Sequence, residues 1–256
     1  MPNNKPLTET NPVLFWNRKA SSFPRFSPGE DNYEASVLKL MVDNGVQLEG
    51  KKLLDIGCGT GMFTLRLAKL ASHVMAIDIA DKMLQILIED ASKNGITNIR
   101  AERSDWLSFN LNEEFQVVFC SMTPAIHSDL GRQKLVGLKG ATVVTISAKE
   151  SFYSQIMRSL YLHYGITRSL PRGISSLRPW LEAREIFPLA LPIQGVWRVR
   201  QSLAEIMESA YCMLENFGLK PEEDELRELL MKFVSEAGDF LEETHYKLEM
   251  LIWQNE

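Results

Sequence analysis

The sequence predicts an α/β fold with a doubly wound, mostly parallel, seven-stranded sheet. Three observations predict it. From about residue 50 to 148, short apolar runs alternate with longer amphipathic stretches. This is the pattern of strands buried on both faces and joined by helices. Gly57, Gly59 and Gly61 follow the first apolar run directly, so the chain turns tightly as it leaves the sheet. Right-handed crossovers between successive parallel strands then give the doubly wound arrangement.

The elements follow in order. Asp31 and Glu34 have capping-box spacing before a helix over Tyr33, Val37, Leu40 and Met41. Lys52–Ile56 (KLLDI) reads as the first buried strand. Met62, Phe63, Leu65, Leu67 and Leu70 have helical spacing. His73–Asp78 (HVMAID) is the second strand, and Met83, Leu84, Leu87 and Ile88 form the next helical stripe, ended by Gly95. Asn98–Ala101 is a weaker strand. Phe115–Cys120 (FQVVFC) and Ala141–Ser147 (ATVVTIS) are buried strands. Residues 151–193 lose the alternation, and Pro171, Pro179, Pro188 and Pro192 interrupt them, which predicts a helical insertion or lid. A strand at Val196–Arg200, helices near 202–216 and 221–237, and an alternating strand near a sheet edge at Thr244–Trp253 complete the chain. The expectation is one domain over 1–256, with N-terminal cap helices in 1–45, a ligand-binding core in 50–148 and the insertion in 151–193.

The composition is that of an ordinary globular chain. Of 256 residues, 45% are hydrophobic and 24% charged, which excludes disorder as the main state. No apolar stretch approaches the roughly 18 residues of a membrane span. The first 30 residues carry five scattered prolines and no charged head with an apolar core, so a secretory signal is not expected. Cys58, Cys120 and Cys212 are distant and odd in number, which argues for a reduced, cytoplasmic setting. No close Cys/His cluster exists, so no metal is expected. The net charge of -5 is unevenly spread: residues 151–200 hold seven arginines against two glutamates, and residues 201–256 hold 14 acidic groups against four basic ones. Nucleic acid is therefore not the expected partner.

The stretch Leu53–Gly61, LLDIGCGTG, carries the chemistry. A strand ends at Ile56, and the glycines leave bare backbone on which a flat, bulky ligand can lie. Asp55 at the strand end can accept from an ammonium group. Asp78 ends the next strand, 17 residues beyond Gly61, where an acid can accept both hydroxyls of a ribose. A nicotinamide-dinucleotide site would want a third glycine at position 62, near a bare helix N-terminus for pyrophosphate. Met62 stands there, which disfavours a dinucleotide.

On these residues the sequence resembles the class I S-adenosylmethionine-dependent methyltransferases. LLDIGCGTG matches their first motif over nine consecutive residues, and Asp78 matches the acid that ends their second strand. Ser104-Asp105-Trp106 stands where the family places the acid for the adenine amino group, with an apolar neighbour. Phe115–Pro124 (FQVVFCSMTP) matches the fourth strand and the loop beside the methyl group. The resemblance covers about residues 30–150. It implies a Rossmann-like sheet, S-adenosylmethionine as donor and S-adenosylhomocysteine as product. It implies Asp55, Gly57, Cys58, Gly59, Thr60, Gly61, Asp78, Ile79, Met83, Ser104, Asp105, Trp106, Ser121 and Met122 as donor-site residues. The chain departs from the family at Gln116, often Asp there, expected to be structural. Its Ser121–Pro124 loop also lacks the Asn/Asp-Pro-Pro-aromatic pattern of amino- and base-methylating members.

Other residues divide between function and packing. Methyl transfer from a sulfonium is an in-line displacement, so the protein chiefly aligns. A base is needed only for a protonated acceptor, and His127 after the fourth strand is the candidate, balanced by a turn role. Trp16 and Arg18, with Phe23, could cap the donor or form a surface arm. His163 and Tyr164 could touch substrate or pack with neighbouring tyrosines. The arginines of 158–200 could bind an anionic substrate, but pairing with the acidic C-terminal part is the favoured reading. Cys58 and Cys120 end neighbouring strands and are expected to be inert buried thiols. The expected function is methylation of a small molecule. The alternatives are a protein or RNA methyltransferase, a nicotinamide oxidoreductase, or a binding module with no path to the methyl. The acceptor atom is open, and so is the oligomeric state, a homodimer included.

Overall fold

A computed structural model describes residues 11–150, 153–166 and 176–256. The elements in chain order are α1 (Pro12–Lys19), α2 (Tyr33–Asp43), β1 (Lys52–Ile56), α3 (Thr64–Ala68), β2 (His73–Asp78), α4 (Asp81–Lys93), β3 (Ile99–Arg103), β4 (Val117–Ser121), α5 (Asp129–Val136), β5 (Thr142–Ala148), α6 (Gln155–His163), α7 (Leu177–Glu182), β6 (Leu189–Gln201), α8 (Leu203–Glu215), α9 (Glu223–Met231) and β7 (Phe240–Gln254). The seven strands form one sheet in the order β3-β2-β1-β4-β5-β7-β6. The first five are parallel, and β7 runs antiparallel to β5. This is the doubly wound, mostly parallel sheet that the alternating pattern predicts.

The chain packs into two compact units. One holds Phe23–Lys149, Pro171–Pro192 and Leu248–Glu256. Its core lies on the sheet: Leu54, Ile56, Ile77, Val118, Val143 and Leu251 are almost fully buried and pack with Trp106 and Phe115. Burying each such side chain contributes about 1.5–3 kcal/mol. A second cluster, Leu65, Ala76, Leu87 and Ala91, fixes α3 and α4 against β2. The register pairs Ile56 with Ile77, Asp78 with Arg103 and Ser121 with Ile146, so the loops after β1 to β4 emerge at one edge. That edge is where parallel sheets bind ligands.

The other unit gathers the described parts of Met1–Ser22, Glu150–Leu170 and Ile193–Lys247. Its core is helical: Ile156, Leu160, Ile206, Ala210, Leu214, Leu226 and Leu230 pack with Phe240. Ser202 caps α8 in a reciprocal box with Glu205. Of the segment 151–193, α6 and α7 are helical and β6 begins at Leu189; residues 151, 152 and 167–175 lie outside the described ones.

Several local expectations are corrected. Asn32, not Asp31, caps α2, its side chain accepting from the Ala35 N–H. The helix after the glycines is only five residues, because Leu70 and Ala71 already turn back toward β2. β6 is longer than the expected strand and contains Pro192, which is tolerated because β6 is the sheet edge. α9 ends at Met231, well short of 237. Gln116 has the structural role expected of it: its Oε1 accepts from the Lys52 N–H at 2.8 Å.

Candidate active site

The glycine loop leaves β1 at Gly57. Gly57, Gly59 and Gly61 have φ of 73°, 55° and 85°, the left-handed region that a side chain disfavours. At Gly57 a Cβ would lie 2.2 Å from Thr123 Oγ1, and at Gly61 it would lie 2.7 Å from Leu65 and Leu87 carbons. Bare backbone is therefore demanded twice, once by conformation and once by space. Gly59 is the open one: its nearest neighbour on that side is the Phe23 ring, 3.9 Å away.

Two carboxylates stake the loop. Asp78 Oδ2 accepts from the Gly59 N–H at 3.0 Å, and Oδ1 accepts from the Ala80 N–H at 2.9 Å. These bonds favour its charged form, but burial outweighs them and raises its pKa from its ordinary value. Asp55 is wholly buried, and its Oδ2 accepts from Thr64 Oγ1 at 2.6 Å. Burial, aided by the nearby Asp78 charge, pushes Asp55 up to about 7. Asp55 thus ties the end of β1 to the first turn of α3. Thr60 is buried, and its Oγ1 donates to Pro24 O at 2.6 Å.

The other expected donor residues lie on the same edge but divide into exposed and core groups. Ile79 and Ser104 are half-buried beyond the strand ends, and the Ser104 N–H donates to Asp78 O. Asp105 is exposed, with Oδ1 accepting from the Leu107 N–H. Met83 and Trp106 are core residues, 1% and 2% exposed, and the Trp106 indole N–H donates to Gly131 O. They stand under the site as packing, not as walls open to a base. Cys58 is half-buried and Cys120 buried; both are free thiols pushed well up by burial and the Asp55 charge.

Beyond β4 the backbone is strained. Met122 has φ 53°, rare for a residue with a side chain, and its N–H donates to Ile146 O at 2.8 Å. Ser121 is half-buried beside it. Met122, Thr123, His127, Ile146 and Ser147 line a cavity of about 30 Å³, roughly the space of one or two waters. His127 closes the turn of Pro124–Ile126, and burial with the Arg132 charge lowers its pKa below the ordinary histidine value. At pH 7 its ring is therefore neutral and able to accept a proton.

The remaining expected residues fall in the other unit. Arg18 pairs with Glu215 at 2.6 Å, Trp16 packs edge-on to Phe15, and His163 Nε2 lies 2.9 Å from Glu225 Oε1. Tyr164 packs edge-on to His163 in the helical cluster. Arg198 and Arg200 pair with Glu243 and Asp239, as the favoured reading of the arginines expects, while Arg178 pairs within α7 and Arg184 stacks on Trp180. Arg168 and Arg172 lie outside the described residues. Sequence reasoning missed Thr64, Thr123, Arg25 and Arg66. Only Arg66 left a signal, a cation between the apolar Leu65 and Leu67 of a helix.

A bare loop after β1, an acid ending β2 and a second acid after β3 define a nucleoside-binding doubly wound domain. Residues 47–163 match the family model described as a methyltransferase domain. The chain is 35% identical over 85 residues to a 23S rRNA (uracil(1939)-C(5))-methyltransferase of Alkalilimnicola ehrlichii, covering 31% of this chain and 19% of that protein. It is 26% identical over 144 residues to a ubiquinone biosynthesis O-methyltransferase of Methylococcus capsulatus, covering 54% and 60%. The chain spans less than two thirds of the length of these relatives. The solved magnesium protoporphyrin IX methyltransferase of Synechocystis, with bound S-adenosylhomocysteine, shares the fold at a TM-score of 0.51 and 16% identity, covering 95% of this chain and 88% of that one. Residues 47–163 are thus similar to a methyltransferase domain, in keeping with the resemblance of the glycine loop and Asp78 to the class I S-adenosylmethionine-dependent methyltransferases.

The residues present fit the family's donor. Its ribose needs acceptors, and Asp78 offers a carboxylate whose two oxygens are already oriented by backbone N–H groups. Its adenine amine needs a further acceptor, and Asp105 is exposed beyond β3.

Proposed function

We propose that the protein transfers a methyl group from S-adenosylmethionine to a small-molecule acceptor. The observation that carries the reading is the Asp78–Gly59 bond, which joins the ends of β1 and β2 into one rigid cradle. When bound, the sulfonium donor supplies an already activated methyl, so alignment is the main demand on the protein. Asp78 would hold the ribose hydroxyls, Asp105 the adenine amine, and the backbone of the Gly57–Gly61 loop the flat body of the ligand. Ser121 and the strained Met122 would shape the wall near the methyl. His127, neutral at pH 7, would take a proton from a hydroxyl or amine acceptor. Trp16, Arg18, His163 and Tyr164 are retained as candidates for acceptor contact.

A small acceptor is favoured over RNA or protein by the charge of the chain. The chain is net acidic, with its described arginines largely taken up in ion pairs and ring contacts. The test is a screen of small hydroxyl, amine and thiol compounds for S-adenosylhomocysteine release, run beside bulk RNA and protein. Turnover with a small compound supports the reading, and turnover with RNA or protein alone overturns it.

A further inference from the structure

β3 ends the sheet, with β2 on one side and no strand on the other among the described residues. Its main-chain groups alternate in direction. The Val74 N–H donates to Asn98 O, and the Ser104 N–H donates to Asp78 O. The even-numbered residues of this stretch therefore turn their N–H and C=O groups to β2. In a strand both groups of one residue point the same way, so those of Ile99, Ala101 and Arg103 point outward.

The side chains alternate as well. Ile99 and Ala101 pack against the cluster that holds α4, and Arg103 pairs with Asp81, the first residue of α4, at 3.1 Å. Arg100 and Glu102 stand on the opposite face, 3.5 Å apart, the first exposed and the second half-buried. Charges on an edge strand commonly keep other strands away. A single sign would do so here. This edge carries both signs, in an order that fits a copy of itself.

Antiparallel pairing sets outward-pointing residues against each other, so the register moves in steps of two residues. Centred on Arg100, pairing would bring the two Arg100 side chains face to face. Centred on Glu102, it would oppose the two glutamates. Centred on Ala101, it sets Arg100 of each copy directly opposite Glu102 of the other, where side chains lie closest. Ile99 and Arg103 then exchange main-chain bonds, and only the small Ala101 side chains meet at the axis.

The layer above fits the same axis. α4 covers β2 and β3 through Leu87 and Ala91, which pack with Ala76, Ile99 and Ala101. Its outer side leaves a groove of about 660 Å³ lined by Leu84, Gln85, Ile88, Glu89, Lys93 and Ala101. Ile88 is 47% exposed there. With strands about 4.8 Å apart, two α4 helices related by this axis stand about 9.6 Å apart, two strand spacings. Packed helices lie about 8–10 Å apart, so the second α4 covers the groove and Ile88.

We propose that the free edge of β3 is the interface with a second copy of this chain, paired antiparallel about Ala101 with its register set by Arg100 and Glu102. Main-chain bonds and the α4 contact supply the affinity, and the solvent-facing charge pairs chiefly select the register. The inference goes beyond the donor reading and does not depend on it.

The experiment is sedimentation equilibrium of the full chain: wild type, Arg100→Glu, Glu102→Arg, the double exchange, and an equimolar mixture of the two single variants, with melting recorded for each. The wild type should dimerise with a Kd below about 100 μM. Each single reversal opposes like charges at two symmetry-related points and should weaken the dimer by about tenfold or more. The mixture should regain wild-type dimerisation, because one chain then carries acids at both positions and the other carries bases. A wild type still monomeric at about 100 μM overturns the proposal, whatever else docks on the edge. So does a dimer that either reversal leaves within about tenfold of wild type, since it would form on another surface. So does a mixture no more dimeric than its separate components. If one single variant fails to fold, the other and the double exchange decide. Loss in the first with recovery in the second supports the pairing, and any other result overturns it.

Discussion

Asp78 Oδ2 and the Gly59 N–H are joined by a 3.0 Å hydrogen bond, so the acid that ends β2 is also a strut of the loop that leaves β1. The same carboxylate takes the Ala80 N–H. Asp78→Ala should therefore do two things. It should lower donor affinity by at least about tenfold, and it should cost about 1–3 kcal/mol of stability through the orphaned N–H groups. Calorimetric titration with S-adenosylhomocysteine and urea unfolding check the two effects separately. Unchanged affinity would remove Asp78 from the site.

Asp55 makes stability depend on pH with a definite sign. Its folded pKa, about 7, lies above its ordinary 3.8. Between those values the native state binds more protons than the unfolded chain, so stability falls as pH rises from about 4 to about 7 and then levels off. Asp78, also raised, acts in the same direction. Asp55→Asn keeps an acceptor for Thr64 and removes the larger charge, so it should flatten this slope. Urea unfolding at several pH values measures it.

Gly57→Ala places a Cβ against Thr123 Oγ1 at a φ of 73°. The expected loss is about 2–4 kcal/mol from overpacking and left-handed strain together. Adding Thr123→Gly should recover the packing part and leave the strain. Full recovery in the double variant would mean that the backbone conformation is not a constraint.

His127 should titrate below its ordinary 6.5, because burial and the Arg132 charge both disfavour its protonated form. Its ring resonances followed by NMR against pH report this directly. Arg132→Gln should move the midpoint upward. An apparent pKa above 6.5 in the wild type would contradict the lowering by burial and the Arg132 charge.

The sheet was legible because its cause is local. Runs such as HVMAID and ATVVTIS have no polar face and can only be buried on both sides. The loop was legible because three glycines at every second position are needed for backbone geometry whatever surrounds them. The second unit was not, because it is assembled from three distant stretches, and no periodicity says that α1, α6 and α8 share it. Trp106 was misread for a related reason. A sequence shows that an aromatic stands beside Asp105 but not that its indole N–H finds Gly131 O, on α5, and turns inward. The Asn32 cap depends on where loops land, which spacing does not encode.

The central claim is that the loop from Gly57 to Gly61, staked by Asp78, receives an adenosyl sulfonium. Calorimetric titration of the intact chain with S-adenosylhomocysteine tests it most directly, with NAD as the control. The account predicts one saturable site for S-adenosylhomocysteine, abolished or strongly weakened in Asp78→Ala, and no heat from NAD. Saturable binding of NAD with none of S-adenosylhomocysteine would contradict it.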